Sequence, residues 1–112
     1  MTAAPVATFH YDLEESRDQY TNRVTTINCH GRLVCDTASQ LKQVVKQLVP
    51  QGGRILIDLG DVQYLDSSGL GTLVGLKVSA INAGYCTLEL VNLSPRVAEL
   101  LRLTKLSQLF SN

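Results

Sequence analysis

A chain of 112 residues has room for one domain, and with 45% apolar residues it can build a core without metal or disulfide staples. Ten Lys and Arg balance ten Asp and Glu, which removes the positive surplus that general nucleic-acid binders and anionic-membrane binders depend on. Only 5% of residues are aromatic and none is Trp, so stacking platforms for single strands are scarce. No apolar stretch nears the roughly 20 residues that span a bilayer. The start, MTAAPVATFHYDLEE, has neither a basic n-region nor an apolar h-region. The expectation is a cytoplasmic protein without membrane insertion.

Residues 1–7 read as a loose end to a single domain over 1–112. From Thr8 to Leu13, Phe9, Tyr11 and Leu13 alternate with polar residues, the pattern of a half-buried strand. Glu14 to Asn22 is polar and reads as a hairpin loop. A second strand is expected over Arg23–His30, where Val24, Thr25, Thr26 and Ile27 favour extended backbone, with Gly31 ending it. Asp36 and Thr37 suit a helix N-cap, and Thr37 with Gln40 has capping-box spacing. Leu41, Val44, Val45 and Leu48 then form one amphipathic stripe, closed by Pro50-Gln-Gly-Gly. Ile55–Leu59 suits a central strand covered on both faces.

Asp61–Gly69 reads as a loop into a helix from about Ser68 to Ala83, with Leu70, Leu73, Val74, Val78 and Ile81 inward and Gly84 as its stop. Thr72, Gly75, Leu76, Ser79 and Asn82 would then face outward. Lys77 falls within the apolar stripe, so its stem should be buried and its ammonium should snorkel to an edge. A strand over Cys86–Val91 precedes Ser94-Pro95, an N-cap and N1 pair, and a helix with Val97, Leu100 and Leu101 inward. Leu106, Leu109 and Phe110 make a last contact in the tail. Strand–helix–strand alternation demands parallel neighbours, while the first two strands should pair antiparallel. The fold class is α/β: a small mixed sheet with helices packed against it.

Cys29 and Cys86 fall in strands and read as small buried apolar residues; Cys35 lies in a loop. His10 and His30 are far apart in sequence and lack metal-ligand spacing, so neither metal nor cofactor is expected.

The stretch Tyr64-Leu-Asp66-Ser67-Ser68-Gly69-Leu-Gly71-Thr-Leu73 places a carboxylate and two hydroxyls at a helix start, where several backbone N–H groups lack internal partners. The simplest role is capping, for roughly 1 kcal/mol. The glycines fit a dinucleotide fingerprint poorly, since Gly75 comes one place late. The serines do not lie in G-x-S-x-G and no His is placed near them, so catalysis is not expected. A serine at a helix start is also a natural switch. Phosphorylation adds about −1.5 to −2 charges, which the free N–H groups favour but a partner burying the hydroxyl must desolvate.

The runs Ile55-Leu-Ile-Asp-Leu59, Leu65-Asp-Ser-Ser-Gly-Leu-Gly-Thr-Leu73, Leu88–Leu93 with Ser94-Pro95, and Leu100–Phe110 resemble the STAS domain family of bacterial anti-sigma-factor antagonists. The resemblance spans about Val24 to Phe110. It implies partner switching: an anti-sigma-factor serine kinase binds the antagonist when its serine is free, phosphorylates the serine after the motif Asp, and releases it. A PP2C-type phosphatase reverses the step. Carried onto this sequence, the modified residue is Ser67. The residues expected to bind a partner are Asp66, Ser68, Gly69 and Asp36 around that serine and, from the helical wheel rather than the resemblance, Thr72, Gly75, Leu76 and Ser79 on the outward side of the helix. Two departures from the family stand out. Val34 follows Gly31-Arg-Leu33 where relatives often carry an acid, with Asp36 two positions later. The chain also stops at Asn112, where an abbreviated closing segment is expected. Alternative roles are a STAS module of a sensory or transport-associated assembly, or a nucleotide-binding STAS domain, neither regulated by phosphorylation.

Overall fold

The computed structural model describes residues 9–110. The expected loose end at 1–7, the strand start at Thr8 and the last two tail residues lie outside them. Four strands, β1 (Phe9–Arg17), β2 (Arg23–Leu33), β3 (Gly53–Leu65) and β4 (Cys86–Val91), form one sheet in the order β1-β2-β3-β4. β1 and β2 are antiparallel, while β2–β3 and β3–β4 are parallel, as the alternation of elements requires. Helices α1 (Ala38–Leu48), α2 (Ser67–Ala83), α3 (Pro95–Leu103) and α4 (Ser107–Phe110) follow, with a 3₁₀ turn at Val49–Gln51.

One hydrophobic cluster joins the inward residues of the sheet, Ile27, Cys29, Ile55, Ile57, Leu59 and Leu88, to Leu41, Val45, Leu73, Val97 and Leu101 of the helices. Burying each large aliphatic side chain contributes roughly 1.5–3 kcal/mol before chain entropy is counted. The helices share one side of the sheet, so β3 is not covered on both faces: Ile55, Ile57 and Leu59 are buried, whereas Leu56 and Asp58 between them are only half-buried. The open face carries polar pairs instead, including Arg54 to Glu89 at 3.0 Å and Asn28 to Asp12 at 2.8 Å.

The strands outrun their expected ends. β1 continues through Glu14–Arg17, leaving a turn at 18–22 in which Asp18 accepts from the Tyr20 and Asn22 amides. Residues 12–17 are all exposed on this edge strand, Leu13 included, although Ile27 opposite Leu13 on β2 is fully buried. Gly31 does not end β2; it takes φ 100° beside a register shift, and pairing resumes to Leu33. β3 likewise continues through Asp61–Leu65 after a register shift, so those residues are strand rather than loop.

The α1 stripe is buried as read, but Thr37 forms no capping box. Its hydroxyl donates to the Arg32 carbonyl at 2.6 Å and accepts from the Val34 amide at 3.0 Å, which ties the β2–α1 loop together.

The α2 stripe is rotated from the expected one. Leu70, Leu73, Leu76, Lys77 and Ala80 are buried, while Val78 is 43% and Ile81 57% exposed. Leu76, expected outside, is therefore inside. This helix has apolar residues around most of its circumference, so periodicity alone does not choose its inner face. Lys77 buries its stem, and its ammonium donates to the Leu88 carbonyl of the edge strand β4 at 2.7 Å.

Candidate functional site

The site is built where β2 and β3 end side by side. Leu33 pairs with Leu65 in register, so the loop leaving β2 and the turn leaving β3 meet at the carboxyl edge of the parallel strands. Asp66, the N-cap of α2, joins them. Its Oδ1 accepts from the Gly69 amide at 2.8 Å, its Oδ2 accepts from the Cys35 amide at 3.4 Å, and its own amide donates to the Leu33 carbonyl at 3.4 Å. The carboxylate therefore caps the helix and clasps the neighbouring loop.

Capping by Asp66 frees the serines. Ser67 and Ser68 occupy the first two helical positions and both are exposed, with their amides at the open end of the helix. An anion placed there meets unpartnered N–H groups and the positive end of the helix dipole. The Ser67 hydroxyl is thus accessible to a partner, and changing it disturbs no cap.

Of the residues expected to bind a partner, Ser68, Thr72, Gly75, Leu76 and Ser79 line one groove between α1 and α2, with Leu76 at its base. Asp36 is exposed in the loop beside Asp66. Gly69 departs from the expectation. It is buried, and a Cβ there would lie 2.1 Å from the Leu33 carbonyl oxygen, so its role is the close approach of α2 to β2. Sequence reading also passed over Arg32 and Tyr64 as site residues. They pair across β2 and β3, with the guanidinium 4.6 Å from the ring centre at the same edge of the sheet. An aromatic two places before the Asp was the available signal.

The cysteines divide as expected. Burial, aided by Asp58 and Asp12, pushes the Cys29 thiol up to about 12, and burial also raises Cys86, so neither forms a ready nucleophile. Cys35 is exposed. His10 and His30, distant in sequence, stack on the open face of the sheet with ring centres 4.6 Å apart. His30 also lies between two carboxylates, with Asp61 Oδ2 2.8 Å from Nδ1 and Asp12 Oδ2 3.1 Å from Nε2. These bonds, Asp61 first, raise its pKa. Among the described residues, no helix is long and apolar enough to cross a membrane.

The STAS domain model matches residues 17–112. The anti-sigma-B factor antagonist of Bacillus subtilis (strain 168) is 36% identical over 83 residues, covering 74% of this chain and 75% of that protein. Among solved structures, an anti-sigma factor antagonist from Mycobacterium paratuberculosis superposes with a TM-score of 0.73 at 23% identity, covering 97% of this chain and 87% of that one. The anti-sigma factor antagonist SpoIIAA in its unphosphorylated form gives 0.68 at 23% identity, covering 88% and 84%. The two solved structures share the fold of this chain, and the family model over residues 17–112 together with the Bacillus relative shows that this chain belongs to the STAS domain family.

Proposed function

We propose that this protein is an anti-sigma-factor antagonist that works by partner switching. With Ser67 free it binds an anti-sigma-factor serine kinase; phosphorylation of Ser67 releases it, and a PP2C-type phosphatase restores the hydroxyl. It acts in the cytoplasm and has no catalysis of its own. The observation that carries this reading is the exposed Ser67 hydroxyl on a helix end already capped by Asp66. A phosphoryl group there gains the helix N–H groups, so the fold survives. The same group brings about −1.5 to −2 charges to the surface, which a docked partner must desolvate beside the Asp66 carboxylate. The named relative supports the role, since it is itself an anti-sigma-B factor antagonist.

The decisive experiment is phosphate incorporation by the cognate anti-sigma kinase into wild type and Ser67→Ala. Incorporation in wild type only is expected. Equal incorporation into both would refute Ser67 as the site, and a wild type that neither binds the kinase nor accepts phosphate would refute the antagonist role.

A further inference from the structure

An open groove of about 560 Å³ runs along the side of α2 that faces α1. Lys42 and Lys46 form its α1 wall, and Gly71, Thr72, Gly75 and Ser79 contribute from α2. Two of its features disfavour the isolated chain. Gly71 and Gly75 sit inside a helix, yet a Cβ at either would meet nothing within 4 Å. Unlike Gly69, neither is needed for internal packing, and alanine would serve the helix better. Lys42 and Lys46 are spaced i, i+4, which sets like charges on one face. No acidic side chain lines the groove to balance them.

An anionic helix lying in the groove relieves both strains at once. Its backbone approaches closely where the glycines lack side chains, and its carboxylates pair with the two ammonium groups. The Thr72 and Ser79 hydroxyls supply further donors. The wall from Ser68 to Ser79 is about 16 Å long at 1.5 Å per residue, which is three turns of an occupant helix. The geometry points to this groove as the docking site for an acidic helix of the partner protein. The inference deepens the antagonist reading, in which that partner is the anti-sigma kinase. It also adds to release: a phosphate on Ser67, next to the Ser68 end of the groove, repels an acidic occupant.

The test measures affinity for the cognate kinase at low and high salt, together with amide shift mapping of the isotope-labelled protein. The variant Gly71→Ala with Gly75→Ala is expected to raise Tm yet weaken binding at least tenfold, a pair of effects that a purely structural role would not produce. Lys42→Glu with Lys46→Glu is expected to weaken binding at least tenfold and remove most of its salt dependence. Shifts should follow the α1–α2 groove as well as Ser67. Wild-type affinity in both variants, with shifts confined to Ser67 and the 33–36 loop, would overturn the groove and leave the Ser67 switch standing. Absence of any complex with wild type would overturn both.

Discussion

The Gly69 amide donates to Asp66 Oδ1 at 2.8 Å, so the α2 N-terminus is held by a residue other than the serine proposed to be modified. The two roles are therefore separable by mutation. Ser67→Ala should change stability by less than about 0.5 kcal/mol, the usual range for an exposed position. Asp66→Ala should lose about 1 kcal/mol through the missing cap, and somewhat more as the bond to Cys35 goes. Urea unfolding of both variants decides it: a Ser67→Ala loss equal to that of Asp66→Ala would contradict the separation.

Ser67→Asp should keep a native circular-dichroism spectrum and weaken the complex with the anti-sigma kinase at least tenfold, about 1.4 kcal/mol. The carboxylate reaches an exposed helix end whose N–H groups donate to it, while the docking surface gains charge. Calorimetric titration supplies the affinity. Unchanged binding by a folded variant would count against charge as the release mechanism.

Glycines of one helix should answer alanine in opposite directions. Gly69→Ala drives a Cβ to 2.1 Å from the Leu33 carbonyl oxygen, and backbone on both sides leaves little room to yield. A loss of about 2–3 kcal/mol is expected from such overpacking. Gly71→Ala, with open space around it, should stabilise by a few tenths to about 1 kcal/mol. Thermal melts of the two single variants compare them directly.

Lys77→Met retains most of the buried stem but deprives the Leu88 carbonyl of its ammonium donor. Leaving a buried acceptor unpaired should cost about 1–3 kcal/mol. Lys77→Ala adds a cavity and should be worse, by about 1 kcal/mol or more. If both variants match wild type in chemical denaturation, the bond to β4 contributes nothing net.

The His30 cluster sets a pH dependence. Asp12 and the stacked His10 face His30 from β1, and Asp61 faces it from β3. Asp61 and Asp12 raise its pKa above the ordinary 6.5, so the charged ring binds its proton more tightly in the folded state. The stabilisation is then fully present below about pH 6.5 and is lost as pH rises through the folded value. Asp12 runs the other way: bonds from Asn28 and His30 lower its pKa from 3.8, so its contribution is present above that value and fades as pH falls through the folded one. Wild type should therefore lose stability as pH rises above about 6.5, and His30→Asn should flatten the slope. Parallel slopes in urea titrations across that range would remove His30 as the cause.

Sequence alone determined those features whose cause is local. The α1 stripe was legible because one face is apolar and the other carries Lys42, Lys46 and Gln47, leaving a single way to bury it. Ser94-Pro95 was legible because a cap and a fixed φ act within one turn, and Ser94 accepts from the Val97 amide at 3.4 Å. The Asp-Ser-Ser-Gly segment at a helix start was legible for the same reason. Tertiary structure decided the rest. Strand length past Gly31 and Asp61 depends on neighbours that continue the ladder, which no local residue preference encodes. The roll of α2 could not be read from a helix that is apolar on several sides. It is set by Gly69 against the Leu33 carbonyl, by the Asp66 clasp and by Lys77 reaching β4. Residues far apart in sequence supply those contacts, so only the folded chain fixes which side of α2 meets the core and which is left for a partner.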